Sequence, residues 1–335
     1  MGLTGIGLAA MLTKPAALRT EADQKILDSG LQWLRDQQNK DGSFGMRNVN
    51  YSTCAAVMAI SAAGQAQDAP VLDRAQKYLI LLQNVEGRGY APSDRDFGSI
   101  GYGGDERGDL SNLQFAVDAL RQTDLEQSHE AFAKALVFLQ RTQNLQSVND
   151  FKARVRNTDD GSWQTVEPGN DGGSAYYPGN SPAGYIDLPD GSKIPRSYGS
   201  MTYALLKSYT LAGLKPDDPR VQAAVNWIQN NWSIDINPGA DPKLGEKAKY
   251  QGLYYYYMVL AQALDATDIQ TVSVRVGEGQ PERQIDWRGE LRQKLAKEQS
   301  GVGSWVNGKN SRWYEGYTLI CTCYALLALE HCYDL

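Results

Sequence analysis

The chain has 335 residues, and its 33 Lys and Arg against 39 Asp and Glu leave a net charge of −6. That balance, with no basic run, excludes a nucleic-acid partner, because phosphate binding needs clustered positive charge. At 42% hydrophobic and 21% charged residues, the composition also excludes wholesale disorder and a collagen-like or membrane-spanning class.

The first apolar stretch, residues 2–12, has about half the length needed to cross a bilayer, so no transmembrane segment is expected. It has neither a basic leader nor a small-residue cleavage site, which leaves the compartment open between cytoplasm and export. Next comes an amphipathic helix ending in Gln38, with Leu27, Leu31 and Leu34 on one face and an Asp41–Gly42 stop before Phe44. The same phrase returns at 291–305 as Gln299, Gly303 and Trp305, with partial copies at 75–83, 133–143 and 223–229. A recurring supersecondary unit predicts a repeat architecture. Between these lie helices poorer in charge, at about 3–12, 51–63, 110–120, 198–211, 253–264 and 317–329. A helix apolar nearly all round is buried on every side, so the pattern predicts six inner and five outer helices, one short of six pairs.

Connections 85–108, 145–196 and 233–249 are too long for plain helix turns and are expected to border the site. The 145–196 segment is read as a long rim loop. Residues 271–285 alternate with period two around Gly277 and Gly279 and predict a β-hairpin. One domain over 1–335 is expected.

The repeat ends Gln38 to Phe44 and Gln299 to Trp305, with the inner-helix starts at Tyr51 and Asp109, resemble the family of squalene–hopene cyclases, oxidosqualene cyclases and protein prenyltransferase β-subunits. The segments 197–203, 251–257 and 286–288 resemble bacterial prenyltransferase and squalene-oxidase repeat proteins. The resemblance implies an all-α fold, an α/α toroid of inner and outer helices around a central cavity, and an apolar polyprenyl or terpenoid ligand. A non-catalytic binding or scaffold toroid, and a carbohydrate-active one, are the alternatives. Protein partners and oligomeric state are left open.

In that family an Asp of D-x-D-D protonates an alkene. The nearest string here, Asn157-Thr158-Asp159-Asp160, lacks the first Asp and continues into Gly161, which reads as a turn. Asp109 and Glu315 are the candidate catalytic acids, because each stands just before an inner helix. Asp109 has a second reading as a helix cap, which would hold its pKa down. Tyr51, Asn112, Tyr198, Tyr203, Tyr254, Tyr257, Trp313 and Tyr317 are the candidate cavity residues; Tyr255 and Tyr256 point away from the face shared by Tyr254 and Tyr257.

No metal or cofactor is expected. Cys321 and Cys323 are two apart on a helix and point away from one another, and His331-Cys332 is adjacent on a chain end. Asp217-Asp218-Pro219 reads as a helix start, and His129 as a surface residue.

Overall fold

The computed structural model describes residues 1–103, 107–156, 161–275 and 282–333. Among these, eleven α-helices alternate between two layers. The inner layer holds α1 (Gly2–Leu12), α3 (Val49–Ala63), α5 (Leu110–Gln122), α7 (Gly199–Leu211), α9 (Leu253–Ala266) and α11 (Thr318–Glu330). Each packs on the next and α11 returns to α1, so the ring closes. The outer layer holds α2 (Glu21–Asp36), α4 (Ala69–Leu82), α6 (Glu130–Thr142), α8 (Pro219–Asn230) and α10 (Trp287–Glu298). Outer helices show one buried stripe, such as Leu27, Leu31 and Leu34 of α2, whereas α7 is buried from Gly199 to Tyr209. The fold is therefore an all-α, α/α toroid of inner and outer helices.

Local signals start the helices, those of α5 and α8 as read. Thr20 and Asp23 form a capping box on α2, Asp218 caps α8 ahead of Pro219, and Asp109 caps α5. His129 does more than sit on the surface, since its Nδ1 accepts the Ala131 N–H and caps α6.

The repeat glutamines act as ties between outer helices. The side-chain amide of Gln38 donates to the carbonyls of Gly42 and Val71, that of Gln83 to Gly98 and Ala131, and that of Gln143 to Gly172 and Arg220. Val71, Ala131 and Arg220 all lie in the first turn of the following outer helix. Gly42, Gly98 and Gly172 have φ of 93°, 81° and 84°. A Cβ at each would fall 1.9–2.3 Å from the carbonyl oxygen of Arg74, Lys134 or Ala223. Only glycine satisfies both the left-handed backbone and that approach.

The 145–196 segment, read as a long rim loop, contains short strands that were not read. It carries β1 (Ala153–Arg156), β2 (Trp163–Val166), β3 (Tyr185–Asp187) and β4 (Lys193–Pro195) in the order β1-β2-β4-β3. Strands of three or four residues among Gly and Pro give too short a run for period-two alternation to register. The hairpin is present as β5 (Val272–Val274) paired antiparallel with β6 (Arg283–Ile285), its turn lying outside the described residues. The string Asn157 to Asp160 lies outside them too. Among the described residues no helix is long and apolar enough to cross a membrane.

Candidate functional site

The amino ends of the inner helices bring most of the candidate residues to one rim. Asp109 is fully buried there. Its carboxylate accepts the Ser111 hydroxyl at 2.6 Å, the Asn112 backbone N–H at 2.9 Å and the Asn112 side-chain amide at 2.9 Å. The cap is formed as read, but its pKa shifts the other way. Burial raises it above the usual carboxylate range and outweighs the lowering by these donors and by the Arg107 guanidinium at 3.8 Å.

Glu315 does not cap the helix that follows it. Its Oε1 accepts the N–H groups of Tyr254 and Tyr255, both at 2.8 Å, and its Oε2 accepts the Asn307 amide at 2.7 Å. Its carboxyl group thus stands at the start of the neighbouring α9, a role invisible in sequence because the two segments are sixty residues apart. Burial pushes its pKa up from 4.5 to about 7, against the lowering by those three donors. No hydrogen bond joins Asp109 to Glu315 among the described residues, and they serve different helix starts, Asp109 that of α5 and Glu315 that of α9.

The tyrosines divide between rim, axis and packing. The rings of Tyr51 and Phe115 meet edge-on at 5.3 Å and those of Tyr255 and Tyr324 edge-on at 5.9 Å, while Phe115 and Tyr255 lie tilted at 6.2 Å. The Tyr51 and Tyr324 hydroxyls are 3.2 Å apart, and burial pushes the Tyr51 pKa up to about 12. Since α3, α5, α9 and α11 supply these rings, they interlock across the ring axis. Where the resemblance implied a central cavity, these four aromatic side chains reach across the ring interior. Tyr255, read from spacing as pointing away, is the α9 tyrosine that enters the axis. Tyr254 and Tyr257 pack on each other at 5.7 Å, and the Tyr257 hydroxyl donates to the Ile234 carbonyl on the outer side. Tyr203 is buried against Tyr256 at 5.7 Å.

Tyr198, Trp313 and Gln251 border a small cavity of about 10 Å³, room for roughly one water. Trp313 and Tyr314 both have positive φ, 57° and 66°, an unusual conformation for bulky residues. Gly252 makes it fit, because a Cβ there would lie 2.9 Å from the Trp313 ring. Tyr317 is exposed beside Tyr314. Asn112, besides holding Asp109, receives the Asn50 amide on its backbone carbonyl.

Several residues at this end were missed. Tyr176 and Tyr177 of the 145–196 excursion lie under the Arg107 guanidinium, and the Tyr176 carbonyl accepts the Leu110 N–H at the start of α5. Deeper in the ring, Lys207 of α7 is 2% exposed and donates to Asp118 of α5 and Gln262 of α9, both at 2.9 Å. A lysine inside an otherwise apolar inner helix was the available signal. Gln114, one turn before Asp118, donates to the Tyr255 hydroxyl and leaves its own carbonyl oxygen buried without a partner. All four cysteines are buried free thiols, with Cys321 donating to the Glu315 carbonyl. Among the described residues no three His, Cys, Asp or Glu side chains gather as a metal-binding group.

Fold and rim together define an α/α toroid whose inner-helix starts gather at one rim. Residues 7–103, from within α1 past α4, match the squalene-hopene cyclase C-terminal domain family. That match covers less than a third of the chain and is a likeness to this family over its first two inner and first two outer helices. No curated protein matches it.

Proposed function

We propose that this cyclase-like toroid, a single domain, acts as a binding protein rather than as a terpenoid-forming enzyme. The observation that supports this most directly is the interlock of Tyr51, Phe115, Tyr255 and Tyr324 across the axis. Sites for sizeable apolar ligands need about 300 Å³ or more. The space beside Tyr198 and Trp313 is far below that. Asp109 and Glu315, for their part, have their oxygens engaged at helix starts.

The test is incubation with squalene, farnesyl diphosphate and geranylgeranyl diphosphate, with products and co-purifying lipids read by mass spectrometry. No conversion and no stoichiometric polyprenyl lipid are expected. Asp109→Ala should lower stability by about 0.5–2 kcal/mol as a lost cap, and Asp109→Asn by less.

A second reading, acid chemistry on an apolar polyprenyl ligand, is favoured by one observation. Glu315 is held at about 7, so a large fraction is a neutral acid near physiological pH, as alkene protonation requires. Turnover that falls about 10²–10⁴-fold in Glu315→Gln with folding intact would put this reading first.

A further inference from the structure

The four-stranded sheet of the 145–196 excursion has an edge that the described residues leave open. In the order β1-β2-β4-β3, β1 pairs with β2 on one side only. The antiparallel register sets Ala153 opposite Val166 and Arg156 opposite Trp163. Alternate residues of β1 therefore turn their N–H and C=O groups away from β2, and no partner for those groups occurs among the described residues. The excursion enters the ring between α5 and α7, opposite the closure of α11 on α1, so the chain ends do not border it.

The outward face of this edge has a chemistry of its own. Along β1, Arg154 and Arg156 are exposed while Ala153 and Val155 are half-buried, so both guanidinium groups lie on one face. Trp163 of β2 shares that face. It is 61% exposed and stands directly opposite Arg156, with the Arg154 guanidinium 5.8 Å from its ring. Arg156 Nε donates to the Gly161 carbonyl at 3.0 Å, which anchors that guanidinium beside the edge. Lys152, one position further along the face, has its counter-charge in Glu167; among the described residues the two arginines have none. In a chain of net charge −6, this edge is a place of opposite sign.

Charged side chains on an edge strand serve by themselves to keep other strands away. The exposed tryptophan works against that role, because a large apolar ring beside an open edge favours a second strand.

We propose that β1 is a docking edge for an acidic, extended segment of a partner protein, which adds to the sheet as a further strand. The segment's backbone takes up the outward N–H and C=O groups of β1, and acidic side chains at alternate positions meet Arg154 and Arg156. The need for both an extended peptide backbone and alternating acids separates this partner from a nucleic acid or a sulfated polysaccharide, which offers charge without a strand. The proposal goes beyond the binding reading above. Neither Asp109 nor Glu315 belongs to this face, so the turnover assays leave it untouched.

The experiment uses the whole chain and a fluorescein-labelled peptide of alternating glutamate and valine as the probe. Saturable anisotropy is expected. It should be absent when lysine replaces the glutamates, and absent when proline replaces the valines, because proline removes N–H groups that strand addition needs. Arg154→Gln combined with Arg156→Gln should weaken binding about five- to thirtyfold at an unchanged melting temperature. Slowed hydrogen exchange in the bound state should fall on residues 153–156. No saturable binding, equal affinity for the proline-bearing peptide, unchanged affinity in the double variant, or protection elsewhere overturns the proposal. So does heparin binding as tightly as the peptide, because the face then reads charge alone.

Discussion

Glu315 shows how one side chain can be placed by the fold in a role that its neighbours in sequence do not suggest. The segment before α11 turns it onto the N–H groups of Tyr254 and Tyr255, where a carboxylate meets the positive end of α9. Full burial opposes the charge and wins, taking the pKa up to about 7. The folded chain then binds this proton more tightly than the unfolded chain, whose value is near 4.5. Its contribution to stability is full below about pH 4.5 and is lost as pH rises through about 7. The shift corresponds to about 3 kcal/mol. Glu315→Gln, which keeps an acceptor for the α9 N–H groups, should flatten this dependence. Urea denaturation of both proteins at pH 5 and pH 8 checks it: an equal stability change in the two assigns the pH dependence to other groups. Asp109 differs in that its role as a cap was legible, since Asp before an apolar helical run is a local signal. The direction of its pKa shift was not, because burial is a property of the assembled rim.

Among the elements, the glutamine ties convert a sequence repeat into mechanical continuity around the outer layer. Gln83 is buried and holds two carbonyls, Gly98 and Ala131, that have no water to turn to if it is removed. Gln299 is exposed and holds one. Gln83→Ala should therefore cost about 1–3 kcal/mol for each carbonyl left unpaired, and Gln299→Ala less than about 1.5 kcal/mol. Guanidinium unfolding of the two variants measures the difference, and equal losses would reject the tie as a structural device. The spacing of glutamine, glycine and aromatic was readable in Gln38 to Phe44 and in Gln299 to Trp305. In Gln83 and Gln143 it was obscured, because 15 and 29 residues separate the glutamine from the glycine whose carbonyl it holds. The strands of the 145–196 excursion escaped for a related reason. Their pairing, including the parallel contact of Val166 with Lys193, is long-range and leaves little local pattern.

For the whole molecule, the ring is held by contacts between helices far apart in the chain. Its interior combines an aromatic interlock with the buried group of Lys207, Asp118 and Gln262, which joins α5, α7 and α9. Lys207→Met should cost about 3–5 kcal/mol, because Asp118 loses the cation that compensates it. The double change Lys207→Met with Asp118→Leu should recover much of that loss. A double-mutant cycle by chemical denaturation reads the coupling. Additive losses would mean that the pair contributes nothing across the ring.

The alternation of one-faced and all-round apolar helices, the caps at Thr20, Asp109 and Asp218, and the glutamine-glycine ends follow from the sequence alone, because each depends on residues within a turn or two of one another. That periodicity determined the order of inner and outer helices, and with it the toroid. Only the tertiary structure decided what the ring contains. A helical wheel shows that Tyr254, Tyr255 and Tyr257 point in different directions, but which direction is the axis depends on how α9 is rotated against α7 and α11. That rotation is set by packing summed over the whole ring. The same collective choice placed Tyr255 against Tyr324 and turned Glu315 onto a neighbouring helix.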